Sequence, residues 1–377
     1  MKNSTPPLDI GIIGAGAIAR LAHIPVVQKS ADARIVGIVD DNAERAGALA
    51  ALCEGAFATS DLDRLLACPE IDAVIVATPN SRHEAAVLGA AAAGKHVLCE
   101  KPLSNDVPSA MRMVQACAAA GVVLQVGFNQ RYWEQVRAAK EIIDSGLIGT
   151  IYGFRSVYSE RWDAYPAATA FRYDLAQSGG ATIIDLAVHR IDLARFLVGD
   201  FVSVIADLSH CSIPAAVDDN VWLLAKFAGG ARGTITSDRY SPAISDGTDI
   251  YGTEGTIHIA TESINPFHAV PLAVYTERSL DSLPESLKEQ HYPEAWWQTF
   301  KGGWLTIKPP RRNPYEAQLR SFCACIRSGG TPSPSGIDGL RAQEVVQAAY
   351  LSMRESRWID LPLADPNDVY LPSYGAL

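Results

Sequence analysis

The sequence predicts an α/β protein of two parts: a doubly wound parallel-sheet domain over residues 1–127, and an α+β domain over 128–377 built on a largely antiparallel sheet. Three observations carry this prediction. Short β-rich runs alternate with Ala-rich segments from Asp9 to Gly127, a glycine-rich turn joins the first run to a helix, and the rhythm changes after Phe128. A chain of 377 residues is also long enough for two or three domains with at least one large core.

In the first part, Ile10 to Ile13, Arg34 to Val39, Asp72 to Ala77, His96 to Cys99 and Val122 to Val126 read as strands. Runs such as Ala73-Val74-Ile75-Val76-Ala77 are apolar at every position. That requires burial on both faces, as in a parallel sheet covered by crossover helices. The second part opens with a helix from Trp133 to Ser145, a strand from Thr150 to Tyr158 and a helix starting near Gly180. Alternating segments follow at Val202 to Leu208, Asn220 to Phe227, Ala231 to Ser237, Thr248 to Tyr251 and Thr256 to Ala260, with turn signals such as Gly229-Gly230 between them. Helices over 313–327 and 337–356 close the chain, with Asp338 near the start of the second.

Composition narrows the function. Thirty-two Lys and Arg against 42 Asp and Glu give a net charge of −10, which repels phosphate backbones and anionic lipid. Neither nucleic acid nor a membrane is expected as a partner. The longest apolar run, Asp72 to Thr78, is far short of a membrane span, and Met1 to Pro7 leads into a strand without a signal-peptide core, so a cytoplasmic protein is expected. The seven cysteines are scattered and odd in number, which reads as reduced thiols. Cys323 and Cys325 stand two apart on a helix and so point to different faces; no metal is expected.

Chemistry first shows at Gly14-Ala15-Gly16-Ala17-Ile18-Ala19, a G-x-G-x-x-A turn that follows the first strand directly. Gly14 makes the tight turn, Gly16 admits a pyrophosphate to the backbone amides along with Ala17 and Ile18, and small Ala19 allows close packing of helix on strand. Asp40 closes the second strand, where a carboxylate accepts from both adenosine ribose hydroxyls and repels a ribose phosphate; Asp41 adds charge and Arg45 partly offsets it. NAD is therefore favoured over NADP. Thr78, Asn80 and His83 after the Asp72 to Ala77 stretch, and Glu100 and Lys101 after His96 to Cys99, lie at carboxyl ends of strands, where the ligand crevice of an open α/β sheet lies. Thr78 and Asn80 also fit as helix caps.

A second constellation is Asp185, His189 and Asp192, spaced i, i+4, i+7 on an otherwise apolar helix behind Gly179-Gly180. One α-helical stripe would carry all three. A satisfied structural network is the competing explanation. Trp162, Tyr165, Phe171, Arg172 and Tyr173 precede it, and Tyr292, Trp296, Trp297, Phe300 and Trp304 form a second aromatic cluster, which serves sugar stacking or an interface equally well. Arg172, Asn129 and Asp192 are candidate hydroxyl ligands.

Taken in order, G-x-G-x-x-A at 14–19, His23-Ile24-Pro25, Thr78-Pro79-Asn80 with His83, Glu100-Lys101-Pro102, Gly127-Phe128-Asn129-Gln130-Arg131, Gly179-Gly180 with Asp185 and His189, and Gly252-Thr253-Glu254-Gly255-Thr256 resemble the Gfo/Idh/MocA oxidoreductases. The resemblance spans almost the whole chain. It implies a Rossmann domain, an open-faced sheet domain, and catalysis by Lys101, Asp185 and His189 on a secondary hydroxyl or matching carbonyl of a sugar, cyclitol or derivative. It further implies NAD held by the residues above together with Lys101 and Asn129, substrate contacts from Lys101, Asn129, Trp162, Arg172, Asp185 and His189, and a homodimer or homotetramer paired through the second sheet.

The residue types suit those roles. Hydride loss from carbon needs a base within hydrogen-bond reach of the hydroxyl, for which His189 has the right intrinsic acidity. Lys101 supplies positive charge to a developing alkoxide, and Asp185 is either an orienting partner or an acceptor from substrate. Three other functions compete: a redox-neutral relative that oxidises a glycoside transiently and eliminates, a dinucleotide-binding regulatory protein on the same fold, and an NADPH-dependent aldehyde, imine or bilin reductase, which Asp40 disfavours.

Overall fold

A computed structural model of the protein describes residues 6–164, 171–213, 215–242, 245–260, 270–279, 282–288, 303–372 and 374. Of these, the residues within Met1–Asn129, Pro166–Gly179 and Asn313–Gln343 form one compact unit, and those within Gln130–Tyr165, Gly180–Arg312 and Glu344–Leu377 a second.

The first unit is built on six parallel strands, β1 (Leu8–Ile13), β2 (Ala33–Val39), β3 (Phe57–Thr59), β4 (Ala73–Val76), β5 (His96–Cys99) and β6 (Leu124–Val126), in the order β3-β2-β1-β4-β5-β6. All four residues of β4 are buried, as its unbroken apolar run requires. The strand order reverses at β1, which pairs with β2 on one side and β4 on the other, so the carboxyl ends of β1 and β4 mark the switch point. Strand β3, three residues long, is absent from the sequence reading. Its Phe57 packs on Gly37, where an added Cβ would stand 2.7 Å from the ring.

The helix Pro314–Ser328, anticipated over 313–327, belongs to this unit. Leu319, Phe322 and Cys323 join Ile10, Ile12, Ile35 and Ile75 in one core, and Arg327 pairs with Asp32 at 2.8 Å. Cys323 is buried and Cys325 half-buried, the two environments that their spacing implies.

The second unit carries a nine-stranded sheet among the described residues: β7 (Ile151–Ser159), β8 (Phe201–Ser209), β9 (Asn220–Phe227), β10 (Arg232–Asp238), β11 (Ser245–Gly252), β12 (Gly255–Ile259), β13 (Leu272–Thr276), β14 (Gly303–Ile307) and β15 (Ile359–Asp360). The order is β14-β13-β12-β11-β7-β10-β9-β8-β15, antiparallel throughout except for β7 with β10. Strand β9 shows why one face is core: Val221, Leu223, Ala225 and Phe227 are buried while Trp222 and Leu224 between them are exposed. The sequence reading lacks β13, β14 and β15.

Candidate active site

The turn after β1 is shaped by two glycines. Gly14 has φ +100°, and a Cβ there would stand 2.7 Å from the Ala77 carbonyl oxygen at the end of β4. At Gly16 a Cβ would meet nothing nearer than that oxygen at 3.9 Å. Ala19, fully buried, begins a π-helical turn (Ala19–His23) that continues into the helix Ile24–Lys29.

Asp40 sits just beyond β2. Its Oδ2 accepts from the Ala15 amide at 2.7 Å, and its Oδ1 accepts from the Asn42 amide at 2.9 Å and from Arg45 Nη2 at 2.7 Å. Burial works to raise its pKa, but the Ala15 amide and Arg45 outweigh it and hold the carboxyl below its ordinary value. Among the described residues Oδ2 accepts from Ala15 alone, which leaves it acceptor capacity for a hydroxyl. The Thr78 Oγ1 is buried without a hydrogen-bond partner among the described residues, beside this same edge of the sheet.

Two residues picked out from the sequence are held inside the protein. Asn80 donates to the Ser178 carbonyl at 2.8 Å. His83, 1% exposed, sets Nδ1 2.9 Å from the Pro102 carbonyl and Nε2 3.0 Å from the Thr78 carbonyl, and burial lowers its pKa. The neutral ring donates to one of these carbonyls and packs against the other, between the turn after β4 and the turn after β5.

Glu100 ends β5. Its Oε1 lies 2.8 Å from His23 Nε2, and its Oε2 accepts the Lys101 amide at 3.1 Å. Burial would raise its pKa, yet the His23 hydrogen bond and charge, with Lys101, hold it lowered. Tyr315 lies edge-on to His23 at 5.6 Å and hydrogen-bonds to Asn129. Lys101 itself is half-buried, and the Lys101–Pro102 bond is cis. The sequence reading missed Tyr315, which comes from a helix two hundred residues further on and carries no local signal.

In the second unit, Asp218 organises the start of the candidate helix. Fully buried, it accepts from the Ala181 and Ile183 amides at 2.9 and 2.8 Å and from the Tyr350 hydroxyl at 2.9 Å; burial raises its pKa. The segment begins not as an α-helix but as a π-helical turn, Ile183–Ala187, with the Val188 amide bonded to the Ile183 carbonyl, and becomes α-helical over Val188–Leu197. This corrects the single-stripe expectation. Asp185, on the wide turn, is paired with the buried Arg239, whereas Asp192 is clamped by Arg131 through two bonds of 2.6 and 2.8 Å. The Arg131 pair holds the buried Asp192 carboxylate in place. His189 is buried with Tyr158 edge-on at 6.2 Å.

Of the remaining candidates, Trp162 is half-buried with its amide bonded to the Arg239 carbonyl, and Arg172 is half-buried with its guanidinium 5.0 Å over the Phe171 ring. Trp304 is exposed on β14 against Tyr275. Tyr165, Tyr292, Trp296, Trp297 and Phe300 lie outside the described residues.

Comparison with known proteins shows the family. A family model described as "Oxidoreductase family, NAD-binding Rossmann fold" matches residues 8–128, and the Gfo/Idh/MocA C-terminal domain matches residues 136–258. The chain belongs to the Gfo/Idh/MocA oxidoreductase family. Within it, levoglucosan dehydrogenase of Pseudarthrobacter phenanthrenivorans is 30% identical over 94% of this chain and 98% of its own. Inositol 2-dehydrogenase of Rhizobium meliloti is 29% identical over 93% and 98%. A solved structure of levoglucosan dehydrogenase with NADH superposes at a TM-score of 0.81, with 29% identity, covering 95% of this chain and 100% of that one. This Gfo/Idh/MocA member is thus an oxidoreductase with NAD as its cofactor. The residues present fit that group: a cradle at Gly14 and Gly16 that side chains would fill, an acidic acceptor at Asp40 and an unpartnered Thr78 hydroxyl.

Proposed function

We propose that the protein oxidises a secondary hydroxyl of a sugar, cyclitol or sugar derivative, or reduces the matching ketone, with Lys101, Asp185 and His189 carrying the proton chemistry. The observation behind this reading is the buried carboxylate and imidazole at the π-turn, where Asp185 and His189 begin a helix whose opening is fixed by Asp218. Bound NAD supplies the hydride acceptor, or in its reduced form the donor. His189 takes the hydroxyl proton as general base. The negative charge of Asp185 is matched by Arg239, which suits it to accept a hydrogen bond from a neighbouring substrate hydroxyl rather than to remove a proton. Lys101 offsets charge on the developing alkoxide, and Glu100, through the Lys101 amide, sets the turn that carries it. Gly14, Gly16, Ala17 and Ile18 serve the pyrophosphate, Asp40 the adenosine ribose, and Thr78 the nicotinamide half. Asn129, Arg172 and Trp162 supply further substrate contacts.

Relatives named for levoglucosan and inositol support this substrate class. Self-association through the exposed face of the second sheet belongs to the same proposal, as does residence in the cytoplasm, for which seven free cysteines speak. No described helix is long and apolar enough to cross a membrane. The test is a panel of monosaccharides, anhydrosugars, inositols and glycosides, read as NADH formation at 340 nm. Stoichiometric NADH from at least one member is expected. Product formed without NADH release would replace this reading with the redox-neutral one.

A further inference from the structure

In the second unit the strand ends beside the π-helical turn carry side chains that join into one closed set. Arg239, fully buried just past β10, is its centre. Its amide donates to the Asp219 carbonyl at 2.9 Å and its carbonyl accepts the Trp162 amide at 2.9 Å, which pins its backbone on two sides. Its side chain divides between two carboxylates, with Nη2 on Asp185 Oδ2 and Nη1 on Glu160 Oε2 at 3.4 Å. Glu160 is held in turn. Its amide donates to the Asp238 carbonyl at 3.1 Å, and its Oε1 accepts from the Tyr158 hydroxyl at 3.2 Å. The Tyr158 ring stands 6.2 Å from that of His189, and the Arg190 guanidinium, paired with Asp246, lies 4.7 Å over it. From Asp185 through Arg239, Glu160 and Tyr158 to His189, the contacts return to the helical segment on which they began. A guanidinium on a long side chain fixes the direction of a carboxylate only where its own rotamer is restrained. Glu160, occupying Nη1, supplies that restraint and leaves Nη2 to Asp185.

We propose that Glu160 is a positioning residue for substrate binding: with the Tyr158 hydroxyl it fixes the Arg239 side chain, and through it the direction in which Asp185 offers its carboxylate to a substrate hydroxyl. The inference rests on the proposed role of Asp185 as that acceptor. A network that only supported the fold would lower stability without acting selectively on substrate binding.

The test is initial-rate kinetics of the full-length protein at saturating NAD, varying whichever member of the panel above, levoglucosan and myo-inositol included, the wild type oxidises fastest. Glu160→Ala is expected to raise KM about tenfold and to lower kcat by less than about threefold, because a hydrogen bond to a charged group is lost from ground state and transition state alike. Glu160→Gln keeps an oxygen for Arg239 and a polar partner for Tyr158, and should bring KM back to within about threefold of wild type. Tyr158→Phe keeps the ring and opens no cavity; alone it should raise KM about threefold, and added to Glu160→Ala it should change nothing further, as coupled residues of one network do. NADH affinity, read by fluorescence, should move by less than about twofold throughout. A Glu160→Ala variant with a lowered melting temperature and an unchanged KM would overturn the assignment, as would additive effects of Tyr158→Phe and Glu160→Ala. A wild type that binds NADH but oxidises no member of the panel would instead bring down the proposed function, and the assignment with it.

Discussion

Single residues at the candidate site differ in what they are free to do, and the difference lies in their partners. Asp192 stands at a spacing that suggested a hydroxyl ligand, and two hydrogen bonds from Arg131 fix the orientation of its carboxylate. Nothing in local sequence reveals that, because Arg131 lies 61 residues away. His83 was legible as a residue of the cofactor edge, yet not as one whose ring lies between two backbone carbonyls. Lys101 and His189 remain the residues suited to proton chemistry. Replacing either by Ala should lower turnover by about 10²–10⁴ while cofactor affinity, read by NADH fluorescence, changes little. Near-normal turnover in both variants would return Asp185 and His189 to a structural role. Glu100 gives a pH-dependent prediction. Its carboxyl is held below its ordinary value of 4.5 by His23 and Lys101 against the opposing effect of burial, so its stabilisation is present above that value and lost as the pH falls through the lowered one. Glu100→Gln should therefore cost about 2 kcal/mol near neutrality. The difference from wild type should narrow below about pH 4.5, as followed by denaturant midpoints; a gap that stays constant down to pH 3 would refute the His23–Glu100 pair as a charged one.

Elements were legible where a local period suffices. The five strands anticipated in the first part each overlap an observed strand, and Asn220–Phe227 coincides with β9 end to end. Strands β3 and β15 escaped because three and two residues carry no period. The helix Pro314–Ser328 was anticipated by its spacing, but its place in the first core was not, since periodicity gives a face and never the surface it meets. The π-turns at Ala19–His23 and Ile183–Ala187 are invisible for a related reason: their extra residue is set by what each end is tied to. In the second case that tie is Asp218. Asp218→Ala would leave two buried amides and the Tyr350 hydroxyl without their acceptor, at about 1–3 kcal/mol for each group. The expected result is a melting temperature lowered by several degrees together with a loss of turnover larger than the loss of NADH affinity, because the helix carrying Asp185 and His189 loses its anchor while the NAD cradle lies in the other unit. Unchanged stability would show that water satisfies those groups.

At the scale of the whole molecule, the proposed self-association would use the exposed face of the second sheet. One face of β9 is core, and the other presents Trp222 and Leu224 at 58% and 49% exposure. In register beside them lie Thr236 and Thr234 of β10, then Val157 and Arg155 of β7. Burial of aromatic and aliphatic side chains is favourable by roughly 25 cal/mol per Å² of apolar surface, so a second copy covering such a face would be stabilising. The central positions also avoid like-charge repulsion, since Arg155 is flanked by Asp249 across the β7–β11 pairing and Asp249 in turn contacts His258 at 2.5 Å. Replacing Trp222 and Leu224 together by Asp places two uncompensated charges on each copy. Sedimentation at micromolar concentration should then show the wild type as a dimer or tetramer and the variant shifted to monomer, with the far-ultraviolet spectrum unchanged because both side chains lie outside the core. A wild type that sediments as a monomer, or a variant that keeps the wild-type assembly, would place the self-association surface elsewhere or remove it.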